Sequence, residues 1–242
     1  MNWKITWIFI VMVFGISCSR NSCPLGGGAV SSEMRDLPAF QEIVLYDKIN
    51  VILKQDTVQN IEVEAAAGLL SGISTTVHGG TLIIQDNNGC KSLRTGTDIV
   101  NIYVSTGNLQ KITYHGAGNV SSIDTIRAAI FTVDSFDGSG SINLNLVADT
   151  ANAIIRAANA DISFNGHSNY TYVYSEGEGS VQLFQFTTLA ALVESKSIRD
   201  IDVHVTGNLS ANILYKGNVY YMGNPPQIQT QISSSGKLIY VP

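Results

Sequence analysis

The sequence is poor in charge, proline and cysteine. Charged residues make up 14% of the 242 positions, and there are five prolines and three cysteines. Hydrophobic residues reach 45%, so the chain can bury a core and is not intrinsically disordered. Short runs of Val, Ile, Thr and Tyr alternate with Gly, Asn, Asp and Ser, which indicates many short strands joined by turns.

Clusters of basic residues are also missing. The formal net charge is −5, and no run of Lys or Arg occurs anywhere in the chain. Nucleic acids and anionic lipid surfaces are polyanions, so a mildly acidic chain is a poor partner for either.

Motifs for catalysis and metal binding are scarce too. The histidines are isolated from one another, no Gly-x-Ser-x-Gly sequence occurs, and no helix pattern follows the Gly-x-Gly segments. The cysteine spacing is unlike that of a zinc site. The sequence therefore predicts no enzyme, cofactor or metal site. The nearest alternative is Asp134 with Asp137, a close pair that could hold calcium or serve a polysaccharide-active enzyme.

The one long apolar run lies at the N-terminus. Lys4 precedes residues 5–16, which are almost wholly apolar but too short for a membrane-spanning helix. The run ends in Gly15-Ile16-Ser17-Cys18, which is similar to a lipoprotein cleavage site. We expect residues 1–17 to be a signal peptide, Cys18 to carry a lipid anchor in the membrane, and residues 18–37 to be a flexible tether. The outer membrane is the expected location, on either its periplasmic or its surface face.

Two cysteines remain after this assignment. Cys23 and Cys90 would lie in an oxidising compartment, where they either form a disulfide or stay as separate thiols.

A repeat with a period near 20 begins at about residue 113. Its marker is a turn of small residues followed by a polar residue, as in Gly116-Ala117-Gly118-Asn119 and Gly138-Ser139-Gly140-Ser141. The residue after each marker is always aliphatic, and the next two alternate between mostly polar and mostly apolar. The seven aliphatic positions are Val120, Ile142, Ile162, Val181, Ile201, Val219 and Leu238.

This pattern predicts an all-β fold, a right-handed parallel β-helix-like solenoid with coils of about 20 residues. Aliphatic side chains of successive coils would stack into an internal ladder, and glycine would serve tight corners with positive φ. Residues 38–242 would form the solenoid, with 38–112 less regular and 113–242 clearly repeating. An antiparallel sandwich with regular hairpins is the alternative. Gly79-Gly80 indicates a hairpin in the less regular part.

Three features of the sequence resemble a known family. They are Phe40-Gln-Glu-Ile-Val-Leu-Tyr-Asp-Lys-Ile-Asn-Val-Ile-Leu, the Gly-Ser-Gly-like turns, and Tyr221-Met-Gly-Asn-Pro near the end. Together they resemble the auto-transporter adhesin family with the head GIN domain, over roughly residues 40–241. The family's Gly-Ile-Asn element reads Lys48-Ile49-Asn50 here, without its glycine. The resemblance implies a β-helix-like fold and a role in adhesion, and it supplies no catalytic residues.

Exposed aromatic residues are the best candidates for binding. Tyr170, Tyr172 and Tyr174 alternate along one strand, where they either contact a ligand or have a structural role, facing the core or covering an edge of the solenoid. Tyr220 is predicted to point outward, next to Ile239 of the following coil. We therefore expect a non-enzymatic adhesion module of the cell envelope that binds glycan or protein. A structural lipoprotein that pairs with copies of itself through its open ends is the alternative.

Overall fold

The computed structural model describes residues 28–89, 91 and 99–242. The predicted signal peptide, the lipid site at Cys18 and the disulfide of Cys23 with Cys90 lie outside these residues. The described chain is almost entirely β, with one 3₁₀ turn at Leu70–Gly72 and no α-helix. Its strands are β1 (Val30–Arg35), β2 (Glu42–Leu45), β3 (Asn50–Gln55), β4 (Asn60–Ala66), β5 (Ile73–His78), β6 (Thr81–Asp86), β7 (Asn101–Thr106), β8 (Lys111–Tyr114), β9 (Asn119–Ser122), β10 (Ile126–Ser135), β11 (Ser141–Ile155), β12 (Asp161–Ser175), β13 (Val181–Ser195), β14 (Ile201–Ile213), β15 (Val219–Met222), β16 (Gln227–Ile232) and β17 (Leu238–Tyr240).

The C-terminal half is a parallel solenoid. Each of β11, β12 and β13 holds 15 residues and pairs in parallel with the strand of the next coil along most of its length. About six turns are stacked, with paired residues about 20 positions apart. The predicted solenoid is confirmed, and the antiparallel sandwich is excluded because these pairs are parallel.

The predicted aliphatic ladder is confirmed in full. Val120 pairs with Ile142, Ile142 with Ile162, and the file continues through Val181, Ile201 and Val219 to Leu238. The first six of these side chains are at most 1% exposed, and only Leu238, on the last coil, is partly exposed. Stacking therefore creates the core, as no single coil could bury its apolar side alone.

The turn glycines have a different role from the predicted one. The described glycines with positive φ are Gly28, Gly79, Gly80, Gly166 and Gly223, and none of them lies in a marker turn. Instead, a Cβ at Gly140 would stand 1.9 Å from the carbonyl oxygen of Gly118, and one at Gly179 1.9 Å from that of Ala160. These turns need small residues because each one stacks directly on the backbone of the previous turn.

The polar residues of several markers link successive coils. Asp161 Oδ1 accepts hydrogen bonds from the backbone N–H and the hydroxyl of Ser180, at 2.8 and 2.6 Å. Two coils after Asp161, Asp200 Oδ1 accepts a hydrogen bond from the backbone N–H of Asn218 at 2.7 Å. The side chains thus satisfy turn N–H groups that the strand pairing leaves free.

The N-terminal part joins the same stack with mixed pairing. Strands β2 and β3 pair in parallel with β8 and β9, whereas β1, β4 and β5 make antiparallel pairs. The β5–β6 hairpin turns at Gly79 and Gly80, as predicted. Strand β1 falls within residues 18–37, the predicted tether, and pairs with β4 along its whole length, so the folded part of the chain starts before residue 38.

Candidate functional site

The three tyrosines of β12 lie on the outside of the sheet. Tyr170 is 38% exposed and Tyr172 and Tyr174 are half-buried, whereas Thr171 and Val173 between them point inward and are fully buried. The core-facing alternative for these tyrosines is therefore wrong. The sequence alternation correctly placed all three on one face of the strand.

Two of these tyrosines are held by charged neighbours. The Tyr172 hydroxyl donates to Glu194 Oε2 at 2.6 Å, and the Tyr174 hydroxyl donates to Glu176. Burial and the Glu194 hydrogen bond both raise the pKa of Tyr172 well above its ordinary value. The Lys196 ammonium lies 5.1 Å from the centre of the Tyr174 ring. These contacts fix the tyrosines into a rigid surface and leave Tyr170 as the most accessible ring.

Tyr220 belongs to a cleft on another side of the rod. In register, Gln182 pairs with Asp202, Asp202 with Tyr220, and Tyr220 with Ile239. The predicted neighbourhood of Tyr220 and Ile239 is thus observed, with both side chains half-buried. The cleft has a volume of about 360 Å³, and Ile239 is not part of its wall. Its lining, called the Tyr220 cleft below, is Ser180, Gln182, Ile198, Arg199, Asp200, Asp202 and Tyr220.

Asp202 is the electrostatic centre of the Tyr220 cleft. Burial and then the charge of Asp200 raise the pKa of the Asp202 carboxyl above its ordinary value. The Asp200 carboxylate is engaged by the backbone N–H of Asn218, but no described residue donates a hydrogen bond to the carboxylate of Asp202. Repeat spacing alone could have found this residue, because Asp202 follows the ladder position Ile201 and must point outward.

Asp134 and Asp137, the carboxylates considered for calcium binding or catalysis, each contact a different basic side chain. Asp134 is 5% exposed and accepts both guanidinium hydrogen bonds of Arg156, at 2.8 and 3.2 Å. Asp137 lies 2.6 Å from Nδ1 of His115. Among residues 28–89, 91 and 99–242, no group of three or more His, Cys, Asp or Glu could hold a metal ion.

Sequence reasoning missed a stack of flat side chains at one corner of the rod. The Tyr46 and His115 rings stack at 4.9 Å, His115 and Phe136 stack at 5.3 Å, and the Arg156 guanidinium lies 4.9 Å from the centre of Phe136. The signal was available, because each of these residues stands just after a strand ends. The stack borders a cavity of about 480 Å³ that also contains Asp47 and other charged groups.

These features define a class of protein: a β-solenoid rod whose outer faces carry aromatic and acidic side chains in fixed files. The chain belongs to the family described as "Putative auto-transporter adhesin, head GIN domain", whose model matches residues 39–225. Family membership supports an adhesion-like role at the cell surface or envelope and favours a non-enzyme. No curated protein matches the chain.

Solved structures share the fold. A putative adhesin from Bacteroides fragilis superimposes with a TM-score of 0.81 at 16% identity, covering 89% of this chain and 99% of that one. A putative adhesin from Parabacteroides distasonis gives 0.67 at 19% identity, over 89% and 98% of the two chains. A structure from the same organism named a putative lipid binding protein gives 0.70 at 20% identity, over 90% and 98%.

No helix in the described part of the chain is both long and apolar enough to cross a membrane.

Proposed function

We propose that this protein is a lipid-anchored, non-enzymatic adhesion module of the cell envelope. The observation that carries the proposal is the file Gln182–Asp202–Tyr220, which sets an amide, a carboxylate and an aromatic ring on consecutive rungs of a rigid sheet. Adjacent rungs lie ~4.8 Å apart. A flat apolar ring next to hydrogen-bonding groups is the combination that recognises sugars and protein side chains.

The engagement of Asp134 and Asp137 by basic side chains supports binding without catalysis. A polysaccharide-active enzyme of this shape needs a carboxylate free to act as acid, base or calcium ligand. Asp134 and Asp137, the pair that the sequence offers, are each held by a basic side chain, Arg156 and His115. Both carboxylates of this pair thus have a structural partner.

The anchor follows from the N-terminal sequence. Processing at Ser17-Cys18 and lipidation of Cys18 would attach the rod to the membrane through residues 18–29, the segment that precedes β1. Rigidity of the rod matters here because binding groups on a solenoid keep their spacing at a distance from the membrane.

The test uses the full chain expressed in a bacterial host with the Cys18→Ser variant as control. We expect radiolabelled fatty acid to enter the wild-type protein but not the variant, and protease applied to intact cells to remove the rod. Cells that carry the wild-type protein should adhere to immobilised host glycans or host cells more than cells with the empty vector. Equal adherence would contradict the adhesion role, and release of products from a polysaccharide panel would favour an enzyme.

A second function is favoured by the C-terminal end of the rod. Ile228 and Ile232 pair with the buried Leu209 and Ile213, yet they are 42% and 46% exposed. Strand β16 carries no charged side chain, although exposed edges usually carry charges that prevent pairing. An assembly role through this edge predicts dimers in sedimentation that the substitution Thr230→Lys abolishes, and a strictly monomeric wild-type chain would exclude it.

A further inference from the structure

The Tyr220 cleft contains a carboxylate, that of Asp202, to which no residue in the described part of the chain donates a hydrogen bond. Asp202 is half-buried, and among the described residues none donates to it. The neighbouring Asp200 has a structural task, since its Oδ1 holds the backbone N–H of Asn218 at 2.7 Å. A partly desolvated carboxylate that receives no protein donor is left to water, so Asp202 can accept hydrogen bonds from a ligand that brings its own O–H or N–H groups.

The neighbours of Asp202 define the shape of that ligand. On one side stands Gln182, one of whose amide N–H groups is taken up by Ser180 Oγ at 3.2 Å, which leaves its carbonyl oxygen and second N–H for a ligand. On the other side stands the ring of Tyr220, one rung away in register. A volume of about 360 Å³ is small for a ligand site and suits one or two sugar rings.

Charge in the cleft selects against anions. Its three charged side chains, Arg199, Asp200 and Asp202, sum to one negative charge. A sialylated, sulfated or uronic glycan would place a second anion beside the carboxylates and would be repelled. A neutral ring brings hydroxyl donors to Asp202 without that penalty.

We propose that the Tyr220 cleft binds a neutral pyranose of a surface glycan, with Asp202 accepting its hydroxyl protons and Tyr220 stacking on its apolar face. This rests on the proposed adhesion function and names its ligand class. Gln182 exchanges hydrogen bonds with a further hydroxyl of the same ring. Recognition is by hydrogen bonding and stacking, and no covalent step is involved.

The experiment measures binding of the full chain to an array of neutral glycans, with anionic glycans and lysine-rich peptides as competing classes. We expect neutral glycans to bind, and Asp202→Asn and Tyr220→Ala each to weaken that binding by about tenfold or more, the equivalent of one or two charge-assisted hydrogen bonds or a lost stacking ring. Tyr220→Phe keeps the ring and should stay within about threefold of wild type.

The matched control is Asp36→Asn, which makes the same charge change on an exposed residue outside the cleft. It should leave glycan binding unchanged, and thermal melts of all variants show that each still folds. Wild-type binding that survives both Asp202→Asn and Tyr220→Ala would overturn the cleft assignment while leaving adhesion intact. A preference for anionic glycans or peptides, or no binding to neutral glycans, would also overturn it. Failure of cell adherence itself is the separate result that removes the proposed function.

Discussion

Val51 pairs in register with Val120, so the first regular coil continues the ladder of the C-terminal repeats. On its other side Val51 pairs with Ile102 of β7. The less regular N-terminal part is therefore not a separate domain with its own core, because its aliphatic side chains stand in the same file as those of the repeats.

Because the N-terminal part and the repeats share one aliphatic ladder, we expect truncation of a ladder residue to destabilise the protein equally in either part. Val51→Ala and Val181→Ala each remove two buried methyl groups, and each should lower the free energy of unfolding by about 2 kcal/mol. Urea denaturation of the full chain measures this loss, with Val58→Ala, whose side chain is 68% exposed, as the control. A separate early transition that only Val51→Ala shifts would show that the two parts unfold independently.

Because each marker turn stacks on the backbone of the previous turn, we expect a Gly→Ala substitution in such a turn to lower stability even where the glycine does not have a positive φ. Gly179→Ala places a methyl group 1.9 Å from the Ala160 carbonyl oxygen, whereas a Cβ at Gly89 meets no atom of the described residues within 4 Å. We expect Gly179→Ala to cost about 1–3 kcal/mol or more of stability and Gly89→Ala less than about 0.5 kcal/mol. Thermal melting decides the matter, and equal melting temperatures for the two variants would refute the close-approach explanation.

We expect the ionised carboxylate of Asp202 to lower the stability of the fold as the pH rises, which is the opposite of the usual effect of an Asp residue. Its pKa in the folded protein is raised from the ordinary 3.8 by burial and by Asp200. Above the raised value the charged carboxylate destabilises the fold, and this cost disappears as the pH falls to 3.8 and below. Asp202→Asn should therefore stabilise the free protein at neutral pH, and its advantage should vanish in acid.

Denaturation of Asp202→Asn and wild type across this pH range measures the effect. Asp36→Asn, exposed in the structure, serves as the charge control and should show no such gain. A constant difference between Asp202→Asn and wild type at every pH would contradict the assignment of the cost to the charge.

We expect some Ser→Ala substitutions at buried positions to stabilise the protein. The hydroxyls of Ser135, Ser175 and Ser195 are buried without a hydrogen-bond partner among residues 28–89, 91 and 99–242, and Ser175 pairs directly with Ser195 on the inward face of the sheet. Removing an unsatisfied polar group recovers part of its desolvation cost, about 1 kcal/mol. Ser175→Ala should raise the urea midpoint, whereas Ser163→Ala, which loses a 2.6 Å hydrogen bond to Asn143, should not. A lower midpoint for Ser175→Ala would mean that its hydroxyl is satisfied.

The repeats could be predicted from sequence because every coil obeys the same rule. Ile142, Ile162 and Val181 stand at one point of a 19- or 20-residue period, and a period-2 strand after a turn can bury only one face. The outward direction of Tyr220, Tyr170, Tyr172 and Tyr174 relative to such a file follows from the same alternation, although the sequence left the burial of the last three open.

The N-terminal pairing could not be predicted in the same way. Strand β1 pairs antiparallel with β4, and β4 with β7, so neighbours in the sheet are not one period apart. Asn50 of the Lys48-Ile49-Asn50 element occupies the same place as Asn119, whose backbone N–H it accepts at 3.0 Å. The element is thus the first copy of the marker turn, which the missing glycine concealed.

The ion-pair partners of the charged side chains could not be predicted from the sequence either. Arg156 reaches Asp134 of the preceding coil, and His115 reaches Asp137 of the next one. Such contacts depend on which turns bulge outward and on the directions of long side chains. A period of about 20 residues specifies the rung on which a residue lies but not the direction of its side chain within the turn.

Because each coil of the C-terminal half pairs with its neighbouring coils and the aliphatic ladder is kept at every step, the length of the rod is independent of the side chains on its outer surface. Excising one whole period, such as residues 141–160, would place Ile162 directly on Val120 and leave every residue that lines the Tyr220 cleft in the chain. Gain or loss of gene segments of about 20 codons could in this way change the length of the rod during evolution. The surface that carries the Tyr220 cleft would stay the same.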